Sequence, residues 1–229
     1  MGTKMSSSRL VFKFHGHACV SAHYKDLTIV VDPHDGASLG LSPPAVKGDL
    51  VLVTHDHFDH NAVNVVSKPD SVVLESFVGE KRLSVRNIDV TVLGVRVPHD
   101  KQSGKRRGWV SAYRVSIGEF SFIHLGDIGD YPSEDALLKL SQPRPDVLFI
   151  PVGGFYTIEP YEAWDIASRI NPRFIVPIHY WVRGLNLPIK PVNDFLLAAK
   201  TGKEEKEVLE ICGKEAMAEK PKIILLKSP

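Results

Sequence analysis

The chain has 229 residues, of which 43% are hydrophobic and 24% charged, with a formal net charge of +1. This length and balance suit one globular α/β domain spanning residues 1–229. They argue against a nucleic-acid or membrane-surface protein, which would carry a pronounced basic field. No apolar stretch approaches the ~20 residues needed to span a bilayer, and the polar segment Met1–Arg9 lacks the apolar core of a secretory signal. Cys19 and Cys212 are the two cysteines. They read as free thiols in a reducing cytoplasm, Cys19 as a buried inert one.

Leu10–Phe14, Ala18–Tyr24 and Leu27–Val31 are β-branched and apolar runs that predict an antiparallel meander. The Gly-, Ser- and Pro-rich stretch from His34 to Gly48 predicts an exposed loop. Leu50–Val53 predicts a buried strand, followed by a short helix over Asn61–Ser67 and a strand over Ser71–Glu75. Further on, Asp89–Val97 is extended, and Trp109–Ile117 and Phe120–Leu125 form a hairpin turning at Gly118-Glu119. Ser133 caps a helix running to Leu140, with acidic residues in its first turn. Asp146–Ile150 and Arg173–Pro177 are strands, separated by a helix over Tyr161–Ile170. Pro191–Ala199 and Glu204–Ile211 read as helices, and Lys222–Leu226 as a last strand. A meander followed by alternating strands and helices predicts two mixed sheets stacked face to face with helices outside.

The segment His55-Asp56-His57-Phe58-Asp59-His60 stands at the mouth of a buried strand. In extended backbone His55 and His57 share a face, while Asp59 and His60 address a second point after the turn. One segment can thus supply parts of two adjacent metal sites, an arrangement suited to hydrolysis. His99, Asp127 and His179 also stand where apolar strands end. They bring the set to five imidazoles and two carboxylates, a donor mix for Zn²⁺, with Mn²⁺ or Fe²⁺ as alternatives. His124, inside an apolar run, reads as a packed residue. Lys101, Lys105, Arg106 and Arg107 follow His99 as either a solvated loop or an anion-binding rim.

In this order, His-x-His-x-Asp-His and then a distant His, Asp and His, the chain resembles the metallo-β-lactamase fold superfamily. Gly16-His17-Ala18, Val31-Asp32-Pro33, Phe155-Tyr156-Thr157-Ile158-Glu159-Pro160 and Ile178-His179-Tyr180 make it similar to the small UlaG-like and UPF0173-like metal-dependent hydrolases. The resemblance implies a four-layer αββα sandwich. It implies that His55, His57 and His99 hold one metal, that Asp59, His60 and His179 hold a second, and that Asp127 bridges them. It further implies a hydrolase that turns a water shared by two metals on an ester, lactone or phosphoester, with Asp59 ionised and orienting that water. Asp32 and Thr54 would orient the ligating imidazoles. His17, Lys105, Arg106, Arg107, Tyr156, Thr157 and Tyr180 are the candidate substrate contacts, for a small anionic molecule. Alternatives from the same fold are a phosphodiesterase or nuclease, a phospholipase, a diiron redox protein and a scaffold without catalysis. The redox relatives carry Glu where this chain has His57, together with a flavodoxin domain. A homo-oligomer is left open.

Overall fold

The computed structural model describes residues 8–213 and 220–228. The meander forms as expected: β1 (Arg9–Phe14), β2 (Val20–Tyr24) and β3 (Leu27–Val31) pair antiparallel, with Phe12 opposite Ala22 and Val20 opposite Val31. Alternation sends Leu10, Phe12 and Phe14 inward. Next, β4 (Gly48–Val53) joins β3 in parallel and is buried at every residue, as a central parallel strand must be. A single helical turn, α1 (Val63–Val66), leads into β5 (Ser67–Glu75), parallel to β4.

The second sheet begins with an antiparallel ribbon: β6 (Gly79–Val85), β7 (Ile88–Pro98), β8 (Trp109–Ile117) and β9 (Phe120–His124). It then turns parallel. The helix α2 (Glu134–Ser141) precedes β10 (Val147–Pro151), and α3 (Pro160–Ile170) precedes β11 (Phe174–Ile178). The expected cap of α2 is present, with Ser133 Oγ accepting the Ala136 N–H. The helix α3 starts on Pro160, and Glu162 reaches back to the Glu159 N–H at 2.9 Å, half of a capping box. After α4 (Asn193–Ala199) come β12 (Lys203–Lys206), β13 (Leu209–Cys212) and β14 (Lys222–Leu226).

The strand orders are β13-β1-β2-β3-β4-β5 and β12-β14-β11-β10-β9-β8-β7-β6. The two sheets face each other across aromatic contacts. The Phe12 ring of the first lies 5.2 Å from Phe122 and 5.3 Å from Phe149 of the second. Each such fully buried side chain contributes about 1.5–3 kcal/mol. Helix α1 covers the outer face of the first sheet with Cys19, Val30 and Val51, while α2 and α3 pack on the second. This is the expected sandwich of two mixed sheets with helices outside.

Four local expectations are corrected. Glu204–Ile211 is not a helix. It is two strands, β12 on the edge of the second sheet and β13 on the edge of the first. The edge strand β6 went unpredicted because its charged, mostly exposed sequence shows no apolar alternation. Within the loop from His34 to Gly48, His34 and Leu39 are fully buried. Cys19 is buried as expected, whereas Cys212 lies exposed in a strand, not after a helix. Among the described residues no helix is long and apolar enough to cross a membrane.

Candidate metal centre

Strands β7, β9, β10 and β11 run in one direction, so their C-terminal ends meet at one edge of the sandwich, facing the end of β4. His55, His99, Asp127 and His179 follow these ends directly or within three residues.

Asp32, just past β3 with φ +49°, organises the β4 side. Its fully buried carboxylate accepts the Thr54 N–H at 2.7 Å, the Thr54 hydroxyl at 2.8 Å and His60 Nδ1 at 3.0 Å. Because the Thr54 hydroxyl donates to Asp32, it must accept from His55 Nδ1, 3.0 Å away. Both imidazoles therefore donate from Nδ1 and turn Nε2 inward, the nitrogen that a ligand would use. Burial alone would raise the Asp32 pKa. The charges of His60, His124 and His55 and the His60 hydrogen bond outweigh it and hold the carboxyl below its ordinary value. Asp32 and Thr54 thus make the hydrogen bonds that an orienting role would need.

The ligand atoms converge in groups. His55, His57 and His99 form one, with His55 Nε2 3.0 Å and His99 Nε2 3.3 Å from His57 Nδ1. His60 and Asp59 form a second with His179 and, additionally, His17. Asp127 lies between them. Its Oδ1 is 3.3 Å from His60 Nε2, and its Oδ2 is 3.3 Å from His179 Nε2 and 4.0 Å from His55 Nε2. Ligands about 2.0–2.1 Å from a tetrahedral Zn²⁺ stand about 3.3 Å apart, so these separations suit a shared cation. His60 Nε2 and Asp127 Oδ1 are buried and have no hydrogen-bond partner among the described residues, which would cost stability unless an ion completed them.

Electrostatics agrees. Burial raises the Asp127 and Asp59 pKa values, but neighbouring imidazoles reverse this and hold both carboxyls well below the ordinary range. Burial first, then the charge of His60, pulls His55 down to about 3. His60 is the exception. Burial lowers it, yet Asp127, Asp32 and Asp59 outweigh that and hold it well above the usual imidazole value. A cation at this spot would answer the same three carboxylates.

His17 is more central than its sequence position suggested. It is fully buried with φ +54°, its Nε2 lies 2.9 Å from Asp59 Oδ2, and its carbonyl accepts the His179 N–H at 2.6 Å. Burial and the charge of His179 lower its pKa to about 3. His15 does not share this face: its Nε2 turns to Ser21 Oγ at 2.8 Å. His124 is packed, as expected, between the Ala18 carbonyl and the Gly126 N–H.

A cavity of about 310 Å³ opens over the centre, floored by His57, Asp59, His99, Asp127 and His179 and walled by Phe58, Arg107, Tyr156 and Leu187. Of the expected basic rim only Arg107 lines it; Lys105 and Arg106 point to solvent. Thr157 is buried behind Tyr156 in sequence, its hydroxyl without a partner, and does not line the cavity. Tyr180 is corrected from a pocket wall to a core residue, stacked on Phe14 at 6.0 Å. Sequence reasoning missed Phe58 and Leu187 as walls. It also missed two glycines pressed against ligand backbones. A Cβ on Gly129 would lie 2.3 Å from the His99 carbonyl carbon, and one on Gly153 2.3 Å from the His179 carbonyl oxygen.

The family model for the beta-lactamase superfamily domain matches residues 11–179. A UPF0173 metal-dependent hydrolase of Caldivirga maquilingensis is 30% identical over 192 residues, covering 73% of this chain and 81% of the relative. A crystal structure from Thermotoga maritima, described as a Zn-dependent hydrolase of the metallo-beta-lactamase superfamily, superposes with a TM-score of 0.74. It is 27% identical and covers 96% of this chain and 100% of its own. The diiron β-hydroxylase CmlA of Streptomyces venezuelae shares the fold, with a TM-score of 0.55 and 17% identity over 78% of this chain and 46% of its own. With its sandwich, its ordered His and Asp ligands and these relatives, the chain belongs to the metallo-β-lactamase superfamily, among its UPF0173 metal-dependent hydrolases.

Proposed function

We propose that the protein is a dinuclear hydrolase of a small anionic ester, lactone or phosphoester, with zinc the first candidate metal. The observation that carries this reading is the set of seven converging side chains with buried, unpartnered ligand atoms at their centre. His55, His57 and His99 would hold one ion, Asp59, His60 and His179 the other, and Asp127 both. Bound there, two divalent cations would bring the pKa of a water molecule toward neutrality and polarise the bond under attack.

The chain's own residues do the rest. Asp59, held ionised and fixed by His17 at 2.9 Å, can accept a hydrogen bond from the attacking water and aim it. Asp32 and Thr54 keep the Nε2 lone pairs of His60 and His55 pointed inward. Phe58 and Leu187 give one side of the cavity an apolar lining. A cavity at the small end of the ligand-site range supports a small molecule over a nucleic-acid strand. His57, a nitrogen donor where redox relatives use a carboxylate, supports hydrolysis over diiron oxygen chemistry.

Elemental analysis of the purified protein should find close to two metal ions per chain; one or none would remove the dinuclear reading. A panel of lactones, carboxylic esters and phosphodiesters, assayed with Zn²⁺- and Mn²⁺-loaded protein, should show turnover that a chelator stops.

A further inference from the structure

The segment from Asp100 to Gly108 starts at the residue after His99 and is shaped by one carboxylate. Asp100 Oδ1 accepts the N–H groups of Gln102 at 2.7 Å and Gly104 at 3.1 Å. Its Oδ2 accepts those of Arg106 at 2.9 Å and Arg107 at 2.7 Å. Gly104, at φ +75°, admits no side chain: a Cβ would stand 2.6 Å from the Gly108 carbonyl oxygen and 2.9 Å from the Trp109 indole. The loop is therefore held in one shape relative to a metal ligand, and that shape separates its four cations. Lys101 turns away to Glu162 at 2.6 Å. Lys105 and Arg106 face solvent. Of the four, Arg107 alone lines the cavity.

Arg107 is also braced. Its guanidinium carbon lies 4.6 Å from the centroid of the Tyr156 ring, and that ring meets Phe155 edge-on at 4.6 Å. A stacked guanidinium gives up little further freedom when it binds, and its in-plane N–H fork stays available. Among the described residues no carboxylate lies within ion-pair distance of it. One braced, unpaired fork in a cavity otherwise walled by Phe58, Tyr156 and Leu187 matches one flat, singly charged group.

We infer that Arg107 is the specificity-determining residue of this site, and that the substrate is a monocarboxylate whose apolar part rests on Phe58 and Leu187. This rests on the hydrolytic reading of the centre and narrows it to esters or lactones that carry a free carboxylate.

The test titrates phenylacetate, phenyl phosphate and phenylacetamide into zinc-loaded protein by calorimetry, and compares turnover of monoethyl adipate with that of ethyl hexanoate. Arg107→Gln should weaken phenylacetate at least about tenfold, the expected scale for losing a charge-assisted bidentate pair, and leave phenylacetamide unchanged. Arg107→Lys, which keeps the charge but not the fork, should fall between. KM for monoethyl adipate should rise in Arg107→Gln by a larger factor than KM for ethyl hexanoate, with the larger change in KM rather than kcat. Equal phenylacetate affinity in wild type and Arg107→Gln overturns the inference, as does a phenyl phosphate affinity that exceeds phenylacetate and depends on Arg107. Arg107-dependent phenylacetate binding in a protein that hydrolyses neither ester supports the carboxylate site while removing the hydrolytic reading.

Discussion

The two halves of the centre are held by different physics. On the first sheet, His55 and His60 are aimed by hydrogen bonds that all pass through Asp32. On the second, the outer nitrogens of His99 and His179 have no hydrogen-bond partner among the described residues. Their positions come from backbone packing instead: Gly129 and Gly153 lie against their carbonyls, and the His179 N–H is pinned by the His17 carbonyl. The first half is thus a polar network, costly to leave half-satisfied. The second is a steric mould, intolerant of added volume.

The largest effect should come from the residue proposed to aim the attacking water. Asp59→Ala should lower hydrolysis by on the order of 10³ or more while circular dichroism stays native; unchanged turnover would refute its role. Asp32→Ala should strand the Thr54 N–H and hydroxyl and His60 Nδ1, costing on the order of 3–5 kcal/mol by denaturant titration. It should also weaken metal affinity about 10- to 100-fold. If metal affinity is kept, the network does not orient the ligands. Gly129→Ala and Gly153→Ala should cost about 1–3 kcal/mol each and displace His99 or His179, so that metal content falls although no donor was removed. Full metal content in both would dismiss the steric mould.

A histidine outside the centre supplies a control. Burial, then the charges of His23, His34 and Lys13, lower the His15 pKa to about 4. An unfolded imidazole binds its proton near pH 6.5, so between that pH and 4 the unfolded chain holds more protons than the folded one. Stability should then be level above pH 6.5 and decline below it, by at most about 3 kcal/mol from this residue. His15→Gln should flatten that decline in metal-stripped protein; an unaltered slope would assign it elsewhere. Neutralising Lys105 and Arg106 together should be smallest, within about 0.5 kcal/mol in stability and without change in KM for anionic esters.

The same contrast explains what could be read from sequence. The candidate ligands are legible because strands that must be apolar end abruptly in His or Asp, and Asp32 and Thr54 are legible as oxygens beside such ends. The glycines of the steric mould give no such signal, since Gly129 and Gly153 look like ordinary turn residues until the opposing backbone is known. Within the basic cluster, composition could not tell Arg107 from Arg106; only the Asp100 knot decides which of them turns inward. Glu204–Ile211 failed for a different reason. Its four Glu and one Lys favour helix locally, but pairing of β12 with β14 and of β13 with the distant β1 overrides that preference.

That pairing bears on how the chain comes to be folded. Arg9 of β1 finds its partner in Cys212 of β13, almost the whole length of the chain away. During synthesis the outer edge of β1 must therefore stay open until nearly all residues have emerged, an unpaired edge of the kind that invites association between chains. The Lys and Glu residues of β12 suit that delay, because a charged strand resists joining another before its place in the sheet is ready.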